Sequence, residues 1–417
     1  MDACRKRYGD AFSVMFPGFE TPMVLVSHPE MVRAVLANRD NGLPPGRAIA
    51  LEPILGTRSV LLQSGEEHLT RRKLMLPPFH GERMRAYAGV VEEVIGREIE
   101  SWSLGTKFAI HPRMQRVTLE VIMRAVFGVS DQRRLAQLRP LLAGILDQSS
   151  SPALQLRVLV HRRFGRGRDP LTALNARMAK VHELLDNEIA ERRADADLED
   201  REDILSLLVA ARFDDGGSMS DEELRSQMMT LLLAGHETTA TALAWTFDLL
   251  LRNRPVLGRL REELASGDEE YLKATINEAL RLRPVVPLAG RRLAGSLDTA
   301  GLRLPAGTDV TPAIWLVHTR EDLYPEPRAF RPERFLGKAP ETYGWVPFGG
   351  GVRRCLGAAF AEFEMRIVLR EVVERIDLES TRDAPERIAR RNITFSPREG
   401  TPVIATARRE SRSPVAA

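Results

Sequence analysis

From Gly65 onward, apolar residues recur mostly at the three-and-four spacing of a buried helix face. The pattern predicts helices at roughly 67–76, 84–103, 112–127, 131–148, 170–195, 202–212, 220–252, 255–265, 270–283 and 357–375. Strand signals sit near the two ends of the chain. Two short apolar runs, Ala11 to Phe16 and Met23 to Ser27, are separated by Gly18 and Pro22 and predict a β-hairpin. Pro29 then opens a helix to about Ala37. Strand-like segments return near 290–311 and 389–407, with turns at Pro305-Ala-Gly307 and Pro397-Arg-Glu-Gly400. The predicted class is mainly α with a minor β region.

The sharpest single element begins after Ser220. A serine followed three residues later by Glu223 is a capping-box pattern, and Pro255 closes the segment. About 32 residues at ~1.5 Å each give a rod of roughly 48 Å, long enough to cross the whole molecule. No Ser/Gly-rich linker or internal repeat divides the 417 residues, so one domain spanning 1–417 is expected. The mixed-charge run Glu191 to Asp203 reads as a solvated helix end or inter-helix loop.

Composition narrows the class further. Apolar residues make up 43% and aromatic residues 6%, which suits a large aliphatic core. A net charge of +3 demands no nucleic-acid partner. Only Cys4 and Cys355 carry thiols, so no disulfide framework forms and a reducing, cytoplasmic setting is expected. No apolar run reaches the ~18–20 residues of a membrane span, and MDACRKRYGD lacks the apolar core of a signal peptide.

Candidate chemistry concentrates in Phe348-Gly-Gly-Gly-Val-Arg-Arg-Cys-Leu-Gly357. A lone cysteine is usually a small buried hydrophobe. Here glycines let the backbone turn tightly around it, and Arg353 and Arg354 bring charge that favours a thiolate. A low-pKa thiolate, caged by backbone and screened by Phe348, suits a proximal haem ligand. A second oddity is Ala234-Gly-His-Glu-Thr-Thr239 inside the long helix. One reading is a tolerated polar turn. The other is a local widening with open space at Gly235, where O₂ and water sit and an acid and a hydroxyl supply protons. His236 reads as structural. Glu278 and Arg281 share a helix face at i, i+3, and Phe330-Arg-Pro-Glu-Arg-Phe335 supplies a further guanidinium at Arg334.

Phe348, Gly351, Arg353, Cys355 and Gly357 stand at the spacing of the cytochrome P450 haem signature, which this segment resembles. Residues 234–239 resemble that family's oxygen-activating motif, with Glu237 and Thr238 as the catalytic pair. Glu278, Arg281 and Arg334 resemble its fold-locking network. The resemblance implies the P450 fold, with a haem b (iron protoporphyrin IX) between the long helix and Cys355 as iron ligand. It assigns cofactor contacts to His68, Arg72, Ala234, Arg291, Phe348, Gly349, Arg353 and Gly357. It implies a monomeric monooxygenase that uses O₂ to hydroxylate a hydrophobic small molecule. Electrons would come from NAD(P)H through a ferredoxin or flavodoxin and its reductase, docked on a basic face of Arg71, Arg72, Lys73 and Arg354. Peroxide-using, isomerising or non-enzymatic haem-sensing relatives are the alternatives.

The segment 390–395 and the Cys motif look like those of bacterial fatty-acid and lipid hydroxylases. Substrate contacts are expected from Asn41–Leu62, Ile145–Pro170, Val285–Gly290 and Ile393–Phe395. Within them, Val285, Val286, Leu288, Ala289 and Thr394 form the expected apolar pocket, and the basic segment Val158–Arg168 could meet a carboxylate tail. The chain starts where relatives end their first helix, so that helix is expected to be truncated and the β region less well capped.

Overall fold

The computed structural model describes residues 1–409 except 16–20, 45–51, 53, 80, 82, 129–131, 150, 152, 155–156, 159, 162–164, 166–168 and 392. Most of Val158–Arg168 and part of Asn41–Leu62 therefore lie outside the described residues.

The central helix runs over Asp221–Arg252 without interruption. Ser220 Oγ accepts from the Glu223 amide, and the Glu223 carboxylate accepts from the Ser220 amide, so both halves of the capping box form. Thr239 through Leu251 are all buried, so this half of the helix is wrapped on every side. Its most extensive partner is the helix Ile110–Ala125. A Cβ on Gly235 would lie 2.8 Å from Ile122 Cδ1. The expected open space at Gly235 is thus filled by a neighbouring helix, and no widening interrupts the turns there.

Among the described residues, four small sheets decorate this helical body. Strands β1 (Ala11–Val14) and β2 (Met23–Val26) form the expected antiparallel hairpin. Strand β2 then pairs in parallel with β7 (Asp309–Pro312), and β7 pairs antiparallel with β4 (Arg291–Arg292). The hairpin is thereby completed by chain nearly three hundred residues away. Strands β5 (Leu297–Thr299) and β6 (Leu302–Leu304) form a second hairpin. A three-stranded sheet has the order β3 (Lys107–Ala109), β11 (Pro402–Arg408), β8 (Ile376–Ser380). The last hairpin joins β9 (Ile388–Arg391) and β10 (Thr394–Pro397).

Several expectations need correction. The helix expected over 84–103 is split at Tyr87 into Arg83–Ala86 and Ala88–Glu100. Residues Asp2–Tyr8 do form a helix that caps the β region: Cys4 packs on the Phe12–Leu25–Ala313–Leu316 cluster, and Asp2 pairs with Arg328 at 3.2 Å. The run 191–203 is not simply solvated. Arg192 and Asp203 are buried, and Asp203 caps the helix Ile204–Ala210 through the Ser206 amide at 2.9 Å. No helix among the described residues is long and apolar enough to cross a membrane.

Candidate active site

The loop around Cys355 is built by close backbone approach. Gly351 has φ 63°, and a Cβ there would sit 1.8 Å from the Leu36 carbonyl oxygen, so any side chain is excluded. Gly349 also has positive φ, 68°. The Cys355 amide donates to the Phe348 carbonyl at 2.8 Å, closing the loop. The Phe348 ring stacks edge-on to Trp345 at 6.1 Å, and the Arg354 guanidinium lies 5.9 Å from its centroid. Protein surrounds Cys355, yet its side chain remains exposed on one side.

The thiol is not depressed in pKa as expected. Burial pushes it up, and this outweighs the hydrogen bond from the Gly357 amide and the charges of Arg354 and Arg72. Arg353 turns away to donate to the Gln63 carbonyl and to Ser64 Oγ. A coordinated cation, not the arginines, would have to hold the thiolate.

Near the sulfur, the guanidiniums of Arg72 and Arg353 crowd each other and the buried His68 ring. His68 is held down in pKa by burial and by Arg353 and Arg72. Its ring spans the Val60 carbonyl (Nδ1, 3.0 Å) and the Val352 carbonyl (Nε2, 3.3 Å), of which a neutral ring can serve only one as donor. Arg72 is lowered by burial and Arg354, and Arg353 is pushed down to about 10 by burial and Arg72. No acidic side chain pairs with His68, Arg72 or Arg353 among the described residues. Such a cluster is relieved by an anion, and the two carboxylates of haem beside a sulfur with an open side satisfy that need. The donor set therefore fits haem. Arg291 is buried in β4 and donates to the Gly290 carbonyl at 2.9 Å.

Glu278, Arg281 and Arg334 do meet. Glu278 and Arg281 are 0% exposed and paired through two bonds, 2.7 and 2.8 Å. Arg334 Nε reaches the same carboxylate at 3.3 Å, and the Arg331 amide donates to it at 2.9 Å. Arg281 spends its remaining donors on the carbonyls of His318, Pro327 and Ala329. A buried pair persists only when its spare donors are satisfied in this way.

On the central helix, Ala234 is exposed and Glu237 and Thr238 are half-buried, unlike the wrapped turns that follow. Thr238 Oγ1 donates to the Ala234 carbonyl at 2.5 Å, the back-bond that a helical threonine makes. Glu237 accepts from Gln115 Nε2 at 2.6 Å, with His111 Nε2 at 3.7 Å and Arg391 at 3.9 Å. His111 donates to or accepts from Thr241 at 3.1 Å, and burial with the Arg391 and His236 charges pushes its pKa to about 3. His236 is buried, and burial pushes it to about 4. Sequence reading missed His111, Gln115 and Arg391. The available signal was two polar residues four apart on one face of Ile110–Ala125, His111 buried and Gln115 half-buried.

The apolar segment after the network is not one lining. The chain bends at Val285 and Val286 and meets the sheet region at the Leu288–Ala313 bridge, so its side chains point to different neighbours. Val285 joins the main core, Leu288 packs on the Phe12–Leu25 cluster, and Ala289 packs on the Val26–Val310 cluster. Val286 alone of the four is half-buried and outside these clusters. Thr394 is buried, and its hydroxyl donates to the Arg391 carbonyl at 2.8 Å within its own hairpin. Arg71 also departs from expectation: it is buried against Glu223 and not part of an exposed basic face.

A caged cysteine with an open side, guanidiniums near it that lack an acidic partner, and a half-buried acid and alcohol on an otherwise buried helix are the arrangement of a haem-thiolate oxygenase. The sequence profile of the cytochrome P450 family matches residues 1–401. A protein named cytochrome P450 135B1 in Mycobacterium tuberculosis is 41% identical, over 98% of this chain and 87% of its own length. One named cytochrome P450 137 in the same organism is 41% identical over 84% of this chain and 73% of its own. Among solved structures, a cyanobacterial CYP120A1 with retinoic acid bound superposes with TM-score 0.83 at 24% identity, covering 97% of this chain and 93% of that one. The P450DA heme domain gives 0.80 at 22% identity, covering 99% and 92%. The chain belongs to the cytochrome P450 family, and is accordingly a monooxygenase that uses haem and O₂.

Proposed function

We propose that this enzyme hydroxylates a C–H bond of a hydrophobic small molecule of fatty-acid, steroid or terpenoid type. The observation that carries the reading is the open side of Cys355, set beside His68, Arg72 and Arg353 with no acid to pair them. Those residues would hold haem, with Arg291, Phe348, Gly349, Gly357 and Ala234 around it. Bound there, haem supplies the site at which O₂ is reduced and one oxygen atom is transferred. Cys355 Sγ would hold the haem iron, steadied by the Gly357 amide. Glu237 and Thr238 would deliver protons. The Gln115 amide fixes one Glu237 oxygen, and Thr238 is held on the Ala234 carbonyl until a better acceptor comes within reach. Glu278, Arg281 and Arg334 would act on the loop alone.

NAD(P)H electrons would arrive through a separate ferredoxin or flavodoxin and its reductase, meeting Arg72, Lys73 and Arg354 on the face beneath Cys355. Lys73 is already engaged with Asp214 at 2.7 Å, so Arg354 carries more of the expected steering. Reversing Arg354 to Glu should slow reduction and flatten its salt dependence; unchanged reduction kinetics would exclude this face. A monomeric, cytoplasmic, single-domain protein fits this role.

The testing experiment is a ferric Soret titration of the purified enzyme against long-chain fatty acids, steroids and terpenoids. A saturable shift with one class assigns the substrate type. Polycyclic ligands shifting the band alone would discard the fatty-acid reading, and a shift only with hydrophilic ligands would discard the apolar pocket. Thr238→Ala should uncouple NAD(P)H consumption from product; unchanged coupling would favour a peroxide-using enzyme.

A further inference from the structure

We propose that His318 is the positioning residue that ties the Glu278–Arg281 pair to the loop carrying Cys355. The inference rests on Cys355 being the functional ligand. It concerns a side chain with no place in the motifs above, at the end of the short helix Ile314–His318.

Three consecutive residues leading into the loop are each pinned from the network side. The Gly344 carbonyl accepts from Tyr324 Oη at 3.0 Å, Trp345 Nε1 donates to the Asn277 carbonyl at 3.1 Å, and the Val346 amide donates to His318 Nε2 at 2.9 Å. Val346 then passes the constraint onward. Its carbonyl accepts from the Gly349 amide at 3.0 Å, which starts the glycine turn, and the Cys355 amide closes on Phe348. On its other edge, His318 is joined to Arg281 twice. Nδ1 lies 3.0 Å from the Arg281 carbonyl, and Arg281 Nη1 donates to the His318 carbonyl at 2.7 Å.

These contacts fix the tautomer. A backbone N–H can only donate, so Nε2 must be bare, and Nδ1 carries the proton that it donates to Arg281. His318 is 0% exposed and Val346 3%, so no water can replace either partner. Of the three pins, only this one can lose its acceptor by protonation as pH falls. A protonated ring would set two donors against each other beside the Arg281 guanidinium. The charged group that faces the ring is Arg281, which is itself flanked by Glu278 of the same helix, Glu270–Leu282, and by Tyr324 and Arg334 from the chain that follows. Gly344, Trp345 and Val346 contribute none.

Burial and Arg281 hold the ring neutral, with a pKa of about 3. Because this lies below the ordinary 6.5, the neutral clamp's stabilisation is complete above the ordinary histidine range. It is lost as pH falls from there toward the folded value.

The test uses the haem-loaded protein and the absorption of its ferrous carbon monoxide complex, which reports thiolate ligation without substrate. Glutamine places an oxygen as many bonds from Cβ as Nε2 and keeps the acceptor for Val346. Asparagine reproduces only the Nδ1 position. His318→Gln should keep the wild-type share of thiolate-ligated complex. His318→Asn and His318→Leu should raise the thiolate-lost share about tenfold, the scale of one buried donor left unpaired. Wild-type spectra in all three, or rescue by Asn and not by Gln, would overturn the proposal. Should Asn and Leu variants fail to fold, the acid limb decides. His318→Gln should hold its thiolate spectrum to lower pH than wild type, and coincident limbs would overturn the proposal.

Discussion

The loop around Cys355 and the segment Val285–Ala289 differ in how their residues are constrained. In the loop, each constraint is a backbone approach or a hydrogen bond of fixed type: the Gly351 contact with the Leu36 carbonyl, the Cys355–Phe348 bond, the pinned run Gly344–Val346. Such constraints accept one residue type, so they leave a readable pattern in the chain. In the apolar segment the constraint is shape. Valine, leucine and alanine satisfy a core, a sheet cluster or a cavity equally well, and only the fold decides which they face. Scaffold chemistry is therefore specified by kind, and substrate fit by geometry.

The difference can be broken most forcefully at Gly351. Gly351→Ala should cost about 4 kcal/mol or more and abolish haem retention, because the new methyl group overlaps the Leu36 carbonyl at a positive φ. Urea unfolding and haem content check this, and a variant with wild-type values would show the loop to be adaptable. Glu278→Gln should cost about 3–5 kcal/mol, since Arg281 would be left charged and 0% exposed without its carboxylate. A near-neutral result by the same unfolding curves would reduce the network to ornament. The apolar segment sharpens the comparison from the other side. Leu288→Ala should lose about 2 kcal/mol and leave the ligand-induced Soret shift in place. Val286→Ala should do the reverse, costing about 1 kcal/mol or less while changing ligand affinity. Equal effects of the two on affinity would return both to the pocket.

How much was legible follows the same division. The capping box of Ser220 and Glu223 was readable, because two side chains and two amides satisfy one another locally. The meeting of Glu278, Arg281 and Arg334 was readable only through family likeness, since their contact spans more than fifty residues. The short helix at His318 was not: five residues carry no usable period, and its partners Arg281 and Val346 are distant in sequence. Arg71 was misjudged because charge suggests surface, whereas its partner Glu223 lies on another helix and buries it. The thiol's raised pKa escaped for a related reason. Counting nearby arginines says nothing of the burial that outweighs them.

The central claim is that Cys355 ligates haem as a thiolate, even though protein alone favours the thiol. The most direct measurement is the ferrous carbon monoxide spectrum of the wild-type protein beside Cys355→Ser. The wild type should show a thiolate-type Soret band that is completely lost in the variant, with the fold retained by circular dichroism. A thiolate-type band that survives in Cys355→Ser, or none in the folded haem-bound wild type, would contradict it.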